Sequence, residues 1–122
     1  MAAPNIVNVT SIYGKTVTGI LNTSNSTSYL TCGSNKVIKV NTILIANSDG
    51  TNDATVTCFF YDSSAGQSRY IARTITVPAD STLVLISKDT SLYLEESDQI
   101  RAGASANSDL DIIISYEELD DA

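Results

Sequence analysis

Few side chains of this sequence are suited to catalysis. Histidine is absent, so the chain has no Ser-His or Cys-His nucleophile pair and no metal site built with histidine. The adjacent carboxylates Glu95-Glu96 and Glu117-Glu118 would point to opposite faces of a strand, which does not suit paired acid–base work. Glycines occur singly, without the run that cradles a phosphate. We therefore expect no enzymatic activity, no catalytic residues and no cofactor.

The two cysteines, Cys32 and Cys58, are too few for a structural zinc site or for the disulfide framework of a small secreted domain. Both lie in or beside segments patterned as strands. The simpler interpretation is a pair of buried free thiols, because cysteine packs as a small apolar side chain. The alternative is a disulfide bond between Cys32 and Cys58, which the sequence does not exclude.

The segment from Asn47 to Asp53 places oxygen-bearing side chains at positions 47, 49, 51 and 53, which partly imitates a calcium-binding loop. The bidentate glutamate that completes such a loop in EF-hands would fall at Cys58. We therefore interpret the segment as a solvated hairpin turn and expect no metal site.

Tyrosines are the side chains best suited to binding. Against sugar rings they would form a stacking platform, as aromatic residues do in jelly-roll lectins; at strand ends and interfaces, an apolar ring with a polar tip fits equally well. The absence of tryptophan favours the second interpretation. The tyrosines concerned are Tyr13, Tyr29, Tyr61, Tyr70 and Tyr93.

The charge balance limits the partners of the chain. The net charge is −7 and the seven basic residues are scattered, which disfavours nucleic acid and anionic lipid. Residues 1–5 lack the basic start and apolar core of a secretory signal, and no window approaches the ~20 apolar residues of a membrane span. We expect a protein made in a cytoplasm, with neither nucleic acid nor membrane as a partner.

The elements that would hold these side chains are short strands. Between Thr74 and Leu119, four apolar runs are each closed by a polar turn cluster, an even spacing typical of an antiparallel sandwich. Ile6 to Ile12 is expected to form the first strand, ending at Tyr13-Gly14, and Thr16 to Leu21 the second. The whole chain, 1–122, is predicted to be one all-β domain: a single antiparallel β-sandwich, jelly-roll-like or Ig-like, of about eight strands. An N-terminal arm (1–5) and an acidic tail (119–122), frayed beyond Glu118, flank it.

Three predicted strands are apolar on both faces: 43–45, 83–86 and 112–114. A lone two-sheet sandwich usually keeps one face of each sheet polar. Burial on both sides by neighbouring subunits would explain the pattern, so we expect a homo-oligomer or attachment to a larger surface. The expected interface residues are Ile43, Ile45, Val84, Ile86 and Ile113.

Almost the whole chain resembles small virion structural proteins of tailed bacteriophages, particularly phages of marine bacteria, including cyanophages. The resemblance lies in APNIVNVTSIYGKT at the start, KVIKVNTILIANSDGTNDATV in the centre, and the long segment from IARTITVPAD to DIIISYEEL. It consists of strand-and-turn patterning. The chain departs from the pattern at Ser97, where the turn usually carries glycine, and in having two cysteines.

The resemblance implies a β-sandwich that is assembled in the host cytoplasm and resides in the virion. The leading expectation is a non-enzymatic protein that decorates or cements the capsid, with the major capsid protein or other virion proteins as partners. The alternative is a tail, collar or fibre-associated structural module that contacts host-surface glycans, because fold alone does not fix function.

Overall fold

The computed structural model describes residues 11–120. This range forms nine β-strands and a single 3-10 turn at Lys88–Thr90, which confirms the all-β prediction with slightly more strands than expected. The strands are β1 (Ser11–Ile20), β2 (Thr27–Thr31), β3 (Lys36–Asn47), β4 (Ala54–Asp62), β5 (Gln67–Val77), β6 (Thr82–Ile86), β7 (Leu92–Leu94), β8 (Gln99–Ala104) and β9 (Leu110–Asp120).

The strands form two antiparallel sheets. Sheet A has the order β1-β9-β3-β6, with β7 also pairing with β3, and sheet B has the order β2-β8-β4-β5. Among the described strands, only β4 and β5 are both consecutive and paired. The other connections cross from one sheet to the other, except that β6 and β7 both belong to sheet A and each pairs with β3. Of the two sandwiches expected from the sequence, this interleaved order is the jelly-roll arrangement. An Ig-like sandwich would pair several consecutive strands.

The core lies between the two sheets. Alternate residues point inward on each strand, so Ile112 and Ile114 of β9 meet Ile45 and Ile43 of β3 in register on the inner face of sheet A. All four are almost fully buried, and burial of each such side chain contributes about 1.5–3 kcal/mol. Sheet B supplies the opposing layer, which includes Ile100.

The N-terminal strands differ from the prediction. A single strand, β1, passes through Tyr13-Gly14 without a break and pairs along its whole length with β9. Gly14 causes no turn, because its partner Glu117 holds it in the ladder. Ile6, Val7 and Val9, and the predicted arm at 1–5, lie outside the described residues.

The last strand extends further than predicted, into the residues that were expected to form the acidic tail (119–122). Leu119 and Asp120 still belong to β9 and pair with both β1 and β3. Leu119 is 8% exposed, and Lys36 lies 4.0 Å from the Asp120 carboxylate, so the strand continues beyond Glu118. Residues 121–122 lie outside the described range.

The segment from Asn47 to Asp53 is a crossover between the sheets, so the hairpin interpretation is wrong. It joins β3 in sheet A to β4 in sheet B, and these strands do not pair. The buried Asn47 amide donates to the carbonyls of Asn52 and Val77 at 3.0 and 2.9 Å, and its oxygen accepts from the Asp49 N–H. The turn-forming residues of this segment therefore carry the chain from sheet A to sheet B and do not close a hairpin.

The turn before β8 contains Ser97, the position at which the sequence departs from the resembled pattern. Its φ is 72°, in the left-handed region that glycine occupies at least cost. The Ser97 N–H donates to the Cys32 carbonyl at 2.9 Å, which ties this turn to the end of β2.

Candidate binding faces

An apolar row crosses the outer surface of sheet A. Thr18 of β1, Ile113 of β9, Leu44 of β3 and Val84 of β6 are cross-strand neighbours in register, and we call this row face A. Val84 is 55% exposed, whereas Leu44 and Ile113 are half-buried. Side chains this close across a sheet form one continuous surface.

Only two of the five expected interface residues lie on face A. Ile43 and Ile45 flank Leu44 and therefore point into the core, where both are 0% exposed. Ile86 pairs with Ile43 and is buried as well. These three assignments are wrong. Alternation puts Ile43 and Ile45 on the face opposite Leu44, and Ile86 follows its partner Ile43 to the inner face because of a register shift in this strand pair.

Leu44 and Thr18 are the face A residues that the sequence interpretation missed, and Leu44 is the apolar one. In a run that is apolar at every position, periodicity does not tell which residue faces outward. A register shift between Ile43 and Leu44 leaves Leu85 of β6 without a direct partner, so Val84 and Ile86 take opposite faces. No feature of the local sequence marks this bulge.

Face A continues at one end into a shallow depression. It is lined by Thr18, Gly19, Ile20 and the segment 111–113. Ile20, on the outermost strand, is 60% exposed. The apolar surface therefore reaches the edge of the sheet at β1.

The adjacent carboxylates Glu117 and Glu118 of β9 point to opposite faces of sheet A, as strand geometry requires. Glu117 pairs with Lys39 and Gly14, while Glu118 on the other face accepts from Lys15 at 3.0 Å and lies 3.5 Å from Lys36. The hydrogen bond and charge of Glu118 raise the pKa of Lys15.

The second pair, Glu95-Glu96, flanks the turn before β8. Glu95 is exposed, and the Glu96 carboxylate accepts from the Asn35 N–H at 3.2 Å. Glu95 and Glu96 therefore lie in a turn and not on a strand, unlike the position that the sequence interpretation gave them.

The five tyrosines do not converge on one platform. Tyr29 is half-buried between the sheets, where its hydroxyl donates to the Ile20 carbonyl at 2.9 Å and burial raises its pKa. Tyr13 lies beside Lys15 on β1, and Tyr93 pairs with Lys39 at the far side of sheet A. Of the five, only Tyr61 and Tyr70 share one surface, the outer face of sheet B.

Aromatic and guanidinium groups meet on the outer surface of sheet B. The Phe59 and Tyr70 rings lie 4.7 Å apart between centroids and are tilted by 34°. The Arg101 guanidinium lies 3.8 Å from the Tyr61 ring centroid, and that of Arg73 lies 5.2 Å from the Tyr70 ring. Both distances are within the range of a cation–π contact. We call these five residues face B.

Face B depends on irregularities in β5 that the sequence does not reveal. Tyr70 pairs with Phe59 and Ala72 with Cys58, so the intervening Ile71 is an extra residue. This bulge turns Tyr70 outward while Ala72 points into the core, although residues two positions apart on a regular strand share one face. A second register shift lies beside Thr74, whose φ is 46° and whose N–H donates to the Thr57 hydroxyl at 3.1 Å.

The Asp49 carboxylate in the crossover loop accepts hydrogen bonds from groups of the loop itself. The Asp49 carboxylate accepts from the N–H groups of Thr51 and Asn52 at 2.8 and 3.2 Å and from the Asn52 amide at 3.2 Å. These donors, Thr51 first, lower the pKa of Asp49. N–H groups directed at a carboxylate compete with a cation for its oxygens. Among residues 11–120, no three His, Cys, Asp or Glu side chains are grouped to hold a metal ion.

Both cysteines are buried and free. Burial raises the pKa of the Cys32 thiol to about 11 and that of Cys58 to about 12. The thiolate is the reactive form, so neither side chain is a candidate nucleophile near neutral pH. The Cys32 thiol donates to the Lys36 carbonyl at 3.2 Å.

No family model matches the chain, and comparisons with curated proteins and with solved structures gave no match either. In the described range, no helix is long and apolar enough to cross a membrane. Faces A and B are therefore the features from which a function can be argued.

Proposed function

We propose that this protein is a non-enzymatic structural component of a phage particle that decorates and cements the capsid through face A. The observation that carries the proposal is the apolar row of Leu44, Val84 and Ile113 on the outside of sheet A. An outward apolar row across several strands is typical of a surface that another protein covers. The resemblance to virion proteins supplies the setting.

The binding contribution of face A comes from apolar burial. Each Leu, Val or Ile side chain contributes about 1.5–3 kcal/mol when moved from full exposure to full burial, before the costs of association. Val84 is more exposed than Leu44 or Ile113 and has the most area to lose. A specific interface buries roughly 1,200–2,000 Å² in total, so a neighbour must also cover Ile20 and the β1 edge.

Substitution of Val84 tests the proposal. Val84→Asp places a charge in the proposed interface at a residue that the core does not need, so assembly should be lost while the fold is retained. Ile75→Asp is the matched control, because Ile75 is an exposed apolar residue of sheet B. Circular dichroism reports the fold, and sedimentation and incorporation into particles report assembly. Normal assembly of the Val84→Asp protein would refute a role for face A.

The alternative location is the tail, collar or fibre, and the exposed aromatic residues of face B favour it. Both locations are compatible with a symmetric oligomer. Quantitative mass spectrometry of purified particles distinguishes them. A copy number set by the capsid lattice supports decoration, whereas a small multiple set by the symmetry of the tail supports the alternative.

A further inference from the structure

The arginines and lysines of this chain are separated between the sheets. All three arginines lie on sheet B strands, Arg69 and Arg73 on β5 and Arg101 on β8, whereas the strand lysines all lie on sheet A. Asp62 is the one carboxylate within the sheet B strands, and its register places it on the inner side. The outer surface of sheet B is thus cationic in a protein of net charge −7.

The arginines of face B have no carboxylate partner among residues 11–120. Arg73 has none within ion-pair distance, and the hydrogen bond of Arg101 runs from Nε to the Gln99 side-chain oxygen at 2.7 Å. That bond and the Tyr61 ring orient the guanidinium, whose Nη groups make no hydrogen bond within residues 11–120. A fixed guanidinium matches the two oxygens of a carboxylate with parallel hydrogen bonds.

The rings of face B supply a second kind of contact. Tyr70 is 55% exposed, and the Phe59 ring lies beside it. Flat apolar rings at a water-exposed surface stack against the C–H face of a pyranose. Outward hydroxyls of Ser28 and Thr31 on the neighbouring strand β2 add hydrogen-bonding groups.

We propose that face B binds an acidic glycan, with a carboxylated pyranoside stacked on Tyr70 and Phe59 and its carboxylate held by Arg101 and Arg73. The ligand class follows from the combination of rings and unpaired guanidinium groups in the described sheet, together with the complementary charge. This inference does not rest on assembly through face A, because it concerns the opposite sheet.

Single-stranded nucleic acid would also offer flat rings and negative charge, but it fits this surface less well. Proteins that bind it line a groove with many basic residues that follow successive phosphates. Face B has two arginines in a chain of net charge −7, which suits an isolated carboxylate better than a dense row of phosphates.

Titration of the full-length protein with defined oligomers tests the proposal. The probes are oligogalacturonate, its methyl ester, oligomannuronate and oligothymidylate, followed by calorimetry and amide chemical shifts. At least one of the two uronate oligomers should bind and shift amides of β4, β5 and β8. The methyl ester of oligogalacturonate should bind at least about tenfold more weakly than a bound acid form, because it keeps the ring faces but loses the charge.

Matched variants locate the site. Tyr70→Ala and Arg101→Gln should each weaken uronate binding at least about tenfold. Tyr93→Ala and Lys88→Gln remove a similarly exposed ring and an exposed cation elsewhere, and should bind as the unmodified protein does. Failure of both uronates to bind, equal loss in the control variants, or tighter binding of oligothymidylate would each overturn the proposal.

Discussion

Gly19 of β1 occupies a position where a side chain has no room. A Cβ added there would lie 2.7 Å from Cδ1 of Tyr29, whereas one added at Gly14 of the same strand would meet nothing within 4 Å. The Tyr29 ring covers Gly19 and its hydroxyl bonds the next carbonyl, so these residues join the edges of the two sheets. The sequence alone did not assign Tyr29 this role.

Gly19→Ala is therefore expected to destabilise the protein by about 1–3 kcal/mol, because the Tyr29 ring must shift to admit the methyl group. Urea denaturation followed by circular dichroism measures the change. Gly14→Ala is the matched control and should alter stability much less. Equal effects at both positions would mean that loss of glycine from β1, and not the Tyr29 contact, determines the cost.

The cysteines predict a loss of stability at alkaline pH. The ordinary thiol pKa is 9.0, and the folded values are about 11 for Cys32 and about 12 for Cys58. The folded state thus holds the two protons more tightly than the unfolded state, so this contribution is complete below pH 9. It is lost as the pH rises from 9 towards 11 and 12.

Denaturation measured between pH 8 and pH 11 checks this expectation. The Cys32→Ala/Cys58→Ala protein should be less stable at pH 8 but should lose less stability over the same pH interval. The folded protein should also react very slowly with iodoacetamide at pH 8, where on the order of one Cys32 thiol in a thousand is ionised. Identical pH profiles for the two proteins would contradict burial of the thiols.

At the scale of elements, Asp98 joins two turns. Its carboxylate accepts from the Ser63 N–H at 2.9 Å, in the β4–β5 turn, and from the Glu95 N–H at 3.0 Å, in the β7–β8 turn. The residue is 6% exposed. Without this side chain, the two N–H groups would lose the acceptor that they share.

Asp98→Ala is expected to cost about 1.5–3 kcal/mol of unfolding free energy, because two N–H groups lose the charged carboxylate that accepts from both of them. Asp89→Ala, at an exposed aspartate in the 3-10 turn, should change stability by less than about 0.5 kcal/mol. Thermal denaturation measures both. An Asp98→Ala protein as stable as the Asp89→Ala protein would show that water replaces the carboxylate.

The sequence predicts the positions of the strands better than it predicts which strands pair. Polar turn clusters marked most strand ends because side chains that bond their own backbone interrupt extended runs. They do not show which strands pair, so the turn residues of Asn47 to Asp53 predict a hairpin where the chain crosses between sheets. The orientation of Leu44 and Tyr70 also stayed hidden, since each depends on a bulge set by the neighbouring strand.

At the scale of the whole molecule, the two faces differ in charge and in side-chain chemistry. Face A is an apolar row on the sheet whose strands hold all three strand lysines and four of the acidic residues, whereas face B is cationic and aromatic. A subunit that packs through face A still presents face B, because the faces lie on opposite sheets. Assembly and glycan binding are therefore compatible in one particle.

The two faces should respond to salt in opposite directions. Subunits of charge −7 repel each other, and the Debye length falls from about 30 Å at 0.01 M to about 8 Å at 0.15 M salt. Apolar assembly through face A should thus strengthen as salt rises over this range, while uronate binding at face B should weaken because its attraction is screened. Sedimentation velocity and calorimetry measure the two on one preparation. Assembly that weakens as salt rises would reveal ion pairs in the face A interface. A uronate affinity that does not change with salt would show that Arg101 and Arg73 do not bind the carboxylate.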